Sequence, residues 1–131
     1  DGFDIAPSVW LAVDDDVDAA RDSVRPLIAL YVGGMGSRDR NFYNDMARRY
    51  GFEEAAARVQ YLYLEGRRDE AAAAVPDDLV DLVALCGPAD RVGARLDAYR
   101  DAGVGTLGLM PQARTPGERI EQLRRVAELA T

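Results

Sequence analysis

The run FDIAPSVWLAV, from Phe3 to Val13, constrains this chain more than any other stretch. Ile5, Pro7, Val9, Leu11 and Val13 alternate with Ala6, Ser8, Trp10 and Ala12, and both sets are largely apolar. A strand with one wet face would alternate apolar with polar residues. A run that is apolar on both faces belongs in a parallel sheet with a layer on either side. Asp14, Asp15 and Asp16 follow at once, and carboxylates there oppose the positive end of a helix dipole, so a helix is expected to start here.

A second short apolar run, VGTLGLM from Val104 to Met110, is bounded by Gly103 and Pro111 and reads as a buried strand. Parallel strands need a crossover of a dozen or more residues; here roughly 90 intervene, so extra helices are inserted. The expected fold class is therefore α/β: two parallel strands plus a large helical insertion, predominantly helical. The segments are a strand over 3–13, a helical crossover and insertion over 14–102, a last strand over 104–110 and a closing helix over 116–130.

Inside the excursion, Val17, Ala20, Val24, Leu27 and Tyr31 recur at helical spacing, and Pro26 predicts a kink or break near Arg25. Gly33, Gly34 and Gly36 end that element. Short helices are expected over 42–50, from Phe52 to about Gly66, over 67–74, and over 78–85 with Asp77 as cap and Gly87 as stop. Pro88 suits the first position of another helix, carrying Val92, Leu96 and Tyr99. Thr115, Pro116 and Glu118 form a capping-box signature for the last one.

The side-chain inventory removes whole classes of chemistry. There is no His and no Lys, and all 16 basic residues are Arg. His-dependent triads, His-ligated metals and Schiff-base catalysis are excluded within this chain. A net charge of −7 argues against phosphate-backbone recognition. Cys86 stands alone, with no disulfide partner and no base to activate it. No apolar run suggests a signal sequence or a membrane span, so a soluble cytoplasmic setting is expected, with neither nucleic acid nor membrane as partner.

Three motifs invite sharper readings. Gly103, Gly105 and Gly108 fit G-x-G-x-x-G, but a helix precedes the string and it runs into the strand, the reverse of a dinucleotide site. The triple Asp14–Asp16 lacks companion ligands at metal spacing and reads as a helix start; no metal site is expected. GGMG, Gly33 to Gly36, follows a helix rather than a strand and reads as helix termination more than a phosphate nest. Tyr31, Phe42 and Tyr43 suit either helix packing or a flat ligand.

RPLIALYVGGMG (Arg25–Gly36), NFYNDMARRYGF (Asn41–Phe52) and VPDDLVD…GP…RL…AGV (Val75 onward) occur in an order similar to that of luciferase-like, coenzyme F-420-dependent oxidoreductases. The resemblance implies the C-terminal part of a TIM (β/α)8 barrel, in which a deazaflavin at the C-terminal mouth exchanges a hydride with an organic substrate. It implies F-420 as cofactor, with FMN the alternative if the parent is a luciferase-like monooxygenase. Such barrels take about 200–250 residues, so the chain, which begins at Asp1, reads as a fragment inactive by itself. The resemblance carries over no catalytic residue. It points to Ala12–Asp14 and Met110–Pro111 as strand ends at the mouth, and to Tyr31, Met35, Phe42, Tyr43 and Met110 as pocket-wall candidates. The partners implied are a small-molecule substrate and, through uncovered strand edges, a second copy in a homo-oligomer. The rival reading is a non-catalytic helical protein-interaction module.

Overall fold

The computed structural model describes residues 2–130. The elements run β1 (Ser8–Val13), α1 (Val17–Ala29), a π-helical segment (Leu30–Gly34), α2 (Phe42–Arg49), α3 (Glu53–Leu64), α4 (Arg68–Ala73), α5 (Asp77–Val83), β2 (Ala84–Gly87), α6 (Ala89–Asp101), β3 (Gly108–Pro111) and α7 (Pro116–Ala130). They fall into two compact units. The first holds the residues up to Ser23 and those from Val83 onward; the second holds Val24–Leu82.

The first unit is built on a three-stranded sheet, all parallel, in the order β2-β1-β3. Leu11 pairs with Leu85 on one side and with Pro111 on the other. Side chains alternate across a strand, so Val9, Leu11 and Val13 share one face. They form the core with Leu85, Val92 of α6 and Val126 of α7, and Leu96, Tyr99, Leu107 and Leu109 pack against it. The opposite face of β1 carries Ser8, Trp10 and Ala12, and there Trp10 lies in register between Ala84 and Met110.

The sequence reading is corrected at four places. β1 starts at Ser8 rather than Phe3, since Pro7 has no N–H for a ladder. The residues before it meet the loop ahead of β3 irregularly: Pro7 O accepts from Gly108 N at 2.8 Å, and Asp4 Oδ2 from Thr106 Oγ1 at 2.6 Å. A third strand, β2, replaces the end of the helix expected over 78–85; all four residues of ALCG are buried. A short apolar run carries too few residues for its period to separate buried strand from buried helix. The excursion is thereby divided into two crossovers. β3 starts at Gly108, not Val104. Finally, Pro26 does not break α1, which continues to Ala29 and then widens into the π-helical segment.

Helix starts follow their sequence signals. Asp16 Oδ1 accepts from the backbone N–H of Asp18 and Ala19 at 3.0 and 3.2 Å, and Asp14 Oδ1 from Asp16 N at 2.8 Å. The acidic triplet is a cap; among the described residues no group of three or more His, Cys, Asp or Glu is placed to hold a metal. At α7, Glu118 Oε2 accepts from Arg114 N and Thr115 N at 3.0 and 3.1 Å, while Thr115 Oγ1 accepts from Glu118 N at 3.2 Å. This is the reciprocal bonding of a capping box.

In the second unit, Val24, Ile28, Val32, Ala56, Val59, Leu62, Val75 and Val80 are buried. Arg25, whose side chain is 14% exposed, donates to Val75 O and to the Asp77 carboxylate and so ties α1 to the start of α5. Among the described residues no helix is long and apolar enough to cross a membrane.

Candidate functional site

In parallel α/β architectures the loops at the C-terminal ends of strands carry the chemistry. In the first unit those ends surround a cleft of about 490 Å³. Its walls include Ala12, Val13 and Asp14 after β1, Gln112 and Arg114 after β3, and Gln122 and Arg125 on α7. Volumes of 300–1,000 Å³ are usual for small-molecule sites.

One glutamine holds this rim together. Gln122 Oε1 accepts from Val13 N at 2.9 Å, and Gln122 Nε2 donates to Gln112 O at 2.8 Å. A single α7 side chain therefore joins the end of β1 to the loop after β3. Beside it, Gln112 N donates to Leu11 O at 2.8 Å and Asp14 N to Gly87 O at 3.0 Å. Glu118 is occupied with capping, and Arg125 lies 3.7 Å from Asp15. The cleft thus offers guanidinium and amide groups next to carboxylates, with no nucleophile–base pair. Asp14, Glu118 and Glu121 face Arg114 and Arg125 across it.

The five residues singled out from the sequence separate between the units. Met110 lies on β3 in the first and is 41% exposed. In the second, Tyr31 and Tyr43 meet edge to face, with ring centroids 4.8 Å apart, and Phe42 meets Tyr43 at 5.5 Å. Phe42 remains 68% exposed. Met35, also exposed, follows the π-helical segment as its C-terminal cap.

Below these rings lies a polar core that the sequence reading missed. Asn41 Nδ2 donates to Tyr31 O and Val32 O at 3.1 and 3.0 Å. Asn44 Nδ2 donates to Val32 O and Ala56 O at 3.0 and 2.9 Å, and its Oδ1 accepts from Arg48 Nε at 2.7 Å. Both asparagines are buried. They donate to Tyr31 O and Val32 O of the widened helix and to Ala56 O of α3, so buried amides meet buried carbonyls. The signal was present: Asn41 is three residues ahead of Asn44 and caps its N–H at 3.0 Å, the N-cap pattern. Gly33 and Gly34 serve the same packing. A Cβ on Gly33 would lie 2.5 Å from Tyr63 Cβ, so only glycine lets α3 approach this closely. The glycine pair is a packing device rather than a phosphate nest.

The Glu70 carboxyl is held below its ordinary range, first by the hydrogen bond from Arg67 Nε, and Arg67 is raised in turn. The pair is solvent-exposed at the start of α4.

Residues 1–106 match the luciferase-like monooxygenase family. The chain belongs to that family. Over 127 residues, 97% of its length, it is 38% identical to a Mycobacterium tuberculosis protein named as a coenzyme F-420-dependent oxidoreductase. It is also similar in structure to a coenzyme F-420-dependent tetrahydromethanopterin reductase from Methanopyrus kandleri. That likeness has a TM-score of 0.69 at 23% identity over 97% of this chain, and it establishes the fold as part of the luciferase-like barrel. The chain spans about a third of either relative, 35% of the first and 33% of the second.

Proposed function

We propose that this luciferase-like chain is the barrel-closing portion of an F-420-dependent oxidoreductase that transfers a hydride to or from a small organic substrate. The observation that carries the reading is the 38% identity, across nearly the whole chain, to a relative named for that activity. The deazaflavin would supply the hydride chemistry itself. The residues of this chain have binding and shaping roles: Arg114 and Arg125 beside the cofactor's anionic groups, Met110 and Trp10 as an apolar wall, and Gln122 fixing the rim. Tyr31, Phe42 and Tyr43 would offer aromatic rings, and Met35 an apolar side chain, as a further wall on the insertion. The absence of His and Lys fits such a role, because hydride transfer places the reactive atom on the cofactor and leaves orientation to the protein.

A chimera tests this: the matching third of the Mycobacterium tuberculosis relative is replaced by this chain, and F-420 and FMN are titrated in separately. The expected result is saturable quenching of F-420 fluorescence and none of FMN fluorescence. Retention of FMN without F-420 binding would transfer the assignment to a flavin-dependent monooxygenase. The isolated chain is expected to bind neither tightly; tight F-420 binding by it alone would contradict a merely contributory role.

A further inference from the structure

The core of the first unit is not filled to its edge. Leu96, Tyr99, Leu107 and Leu109 pack against the buried cluster around Leu11 while staying half-buried themselves. With Val104 and Val126 they line a pocket of about 340 Å³. Packed interiors hold few voids larger than a water molecule, and this space falls within the range of small-molecule sites. It adjoins the run into β3, whereas the Gln122 rim follows that strand, so the two spaces lie at opposite ends of β3. Leu109 is the register partner of Val9, which places the pocket on the Leu11 face of the sheet and not on the Trp10 face. Its described walls come from α6, from β3 with the loop before it, and from α7.

Charge narrows what would fill it. Among the described residues that line the pocket, Arg100 is the one charged side chain, and there is no carboxylate. In a chain of net charge −7 this is a local reversal of sign. Arg100 is 61% exposed, and its Nη1 donates to Asp97 Oδ1 at 2.9 Å within α6. An exposed pair of this kind contributes little, and a guanidinium has five N–H donors, so a second anion can share it. An alkyl chain would complete the leucine and valine walls, and a carboxylate at its end would meet Arg100 in a charge-assisted hydrogen bond. We infer that this pocket binds a free medium-chain fatty acid, tail inward against Leu96, Leu107 and Leu109 and head group at Arg100. The site is separate from the rim cleft and requires no cofactor.

Butanoate, octanoate and octanol titrated into the 131-residue chain test the assignment, with calorimetry for affinity and methyl NMR for position. Octanoate is expected to shift the methyl signals of Leu107, Leu109 and Val126. From butanoate to octanoate each added methylene is expected to tighten binding about two- to fourfold, the upper factor being full burial of a CH₂. Arg100→Gln should weaken octanoate roughly two- to fivefold, the range of an exposed ion pair, and leave octanol unchanged. Ala130 also lines the pocket from an exposed position at the end of α7. Ala130→Trp is therefore expected to fill it and abolish binding while the far-UV circular dichroism stays the same. Octanoate that leaves those methyls unmoved, that binds equally well to a folded Ala130→Trp variant, or that gains nothing over butanoate would overturn the site. Equal weakening of octanol and octanoate in Arg100→Gln would overturn the fatty-acid assignment. Failure of the chimera to bind F-420 would leave the pocket untouched.

Discussion

Replacing Asn44 should unsettle the second unit out of proportion to the few atoms removed. Its amide donates to Val32 O and Ala56 O from a site only 3% exposed. Asn44→Ala removes both bonds, and a net loss of about 1 kcal/mol for each is typical. The vacated volume adds about another 1 kcal/mol. Arg48 regains water for its lost partner and contributes little. Val32 O keeps its bond from Asn41, which limits the damage. The sum is about 3 kcal/mol. With an m-value of about 2 kcal/mol/M it moves a urea midpoint, followed by far-UV circular dichroism, down by roughly 1.5 M. Asn44→Asp sharpens the test. Its carboxylate faces two carbonyl oxygens with nothing to donate, and burial with those oxygens raises its folded pKa despite Arg48. For a carboxyl raised in the folded state, stability is retained below the unfolded pKa and lost as pH rises through the folded one. The Asp variant should therefore be weaker at pH 7 than at pH 4 when each is compared with wild type at the same pH. An Ala variant within about 0.5 kcal/mol of wild type, or an Asp variant indifferent to pH, would refute the carbonyl-satisfying role.

Gly33→Ala and Gly34→Ala should each cost about 1–3 kcal/mol by overpacking against Tyr63. Tyr63→Ala should rescue the Gly34 variant, which meets the ring, but not the Gly33 variant, which meets Cβ; thermal unfolding of the four variants decides. Gln122→Leu leaves the Val13 N–H without its acceptor and should cost about 1–3 kcal/mol, whereas Gln122→Glu keeps that acceptor and should avoid part of that loss. Equal denaturant midpoints for the two would refute the bracket. Because the Glu70 carboxyl is lowered in the folded chain, its contribution is present above the unfolded carboxylate pKa and lost as pH falls through the folded value. Glu70→Gln should therefore weaken the protein slightly near neutrality and leave it unchanged in strong acid, as read from midpoints across pH; a larger loss in acid would reverse the sign.

Family membership was legible in the blocks around GGMG and NFYND, and so was the parallel pairing of two apolar runs. The caps at Asp16 and at Thr115–Glu118 were equally readable, because each depends on residues within one turn of chain. The reading failed where two states share a local signature. Ala84–Gly87 is too short for a period to tell strand from helix end, and its pairing with β1 decided the matter. Pro26 looked like a break, yet a proline removes only one hydrogen bond, and packing held the helix on to Ala29.

Sequence by itself settled what this chain is made to do locally: which runs are apolar, where helices begin, which catalytic chemistries its side chains cannot perform, and which family's blocks it carries. Tertiary structure alone decided that Ala84–Gly87 adds a third strand on the other edge of β1 and that Gln122 reaches back 109 residues to Val13. It also decided that two buried asparagines complete a widened helix. The reason is physical. Local propensity and capping act over a few residues, whereas strand order and buried hydrogen bonds are fixed by which distant groups remain unsatisfied once the chain has collapsed.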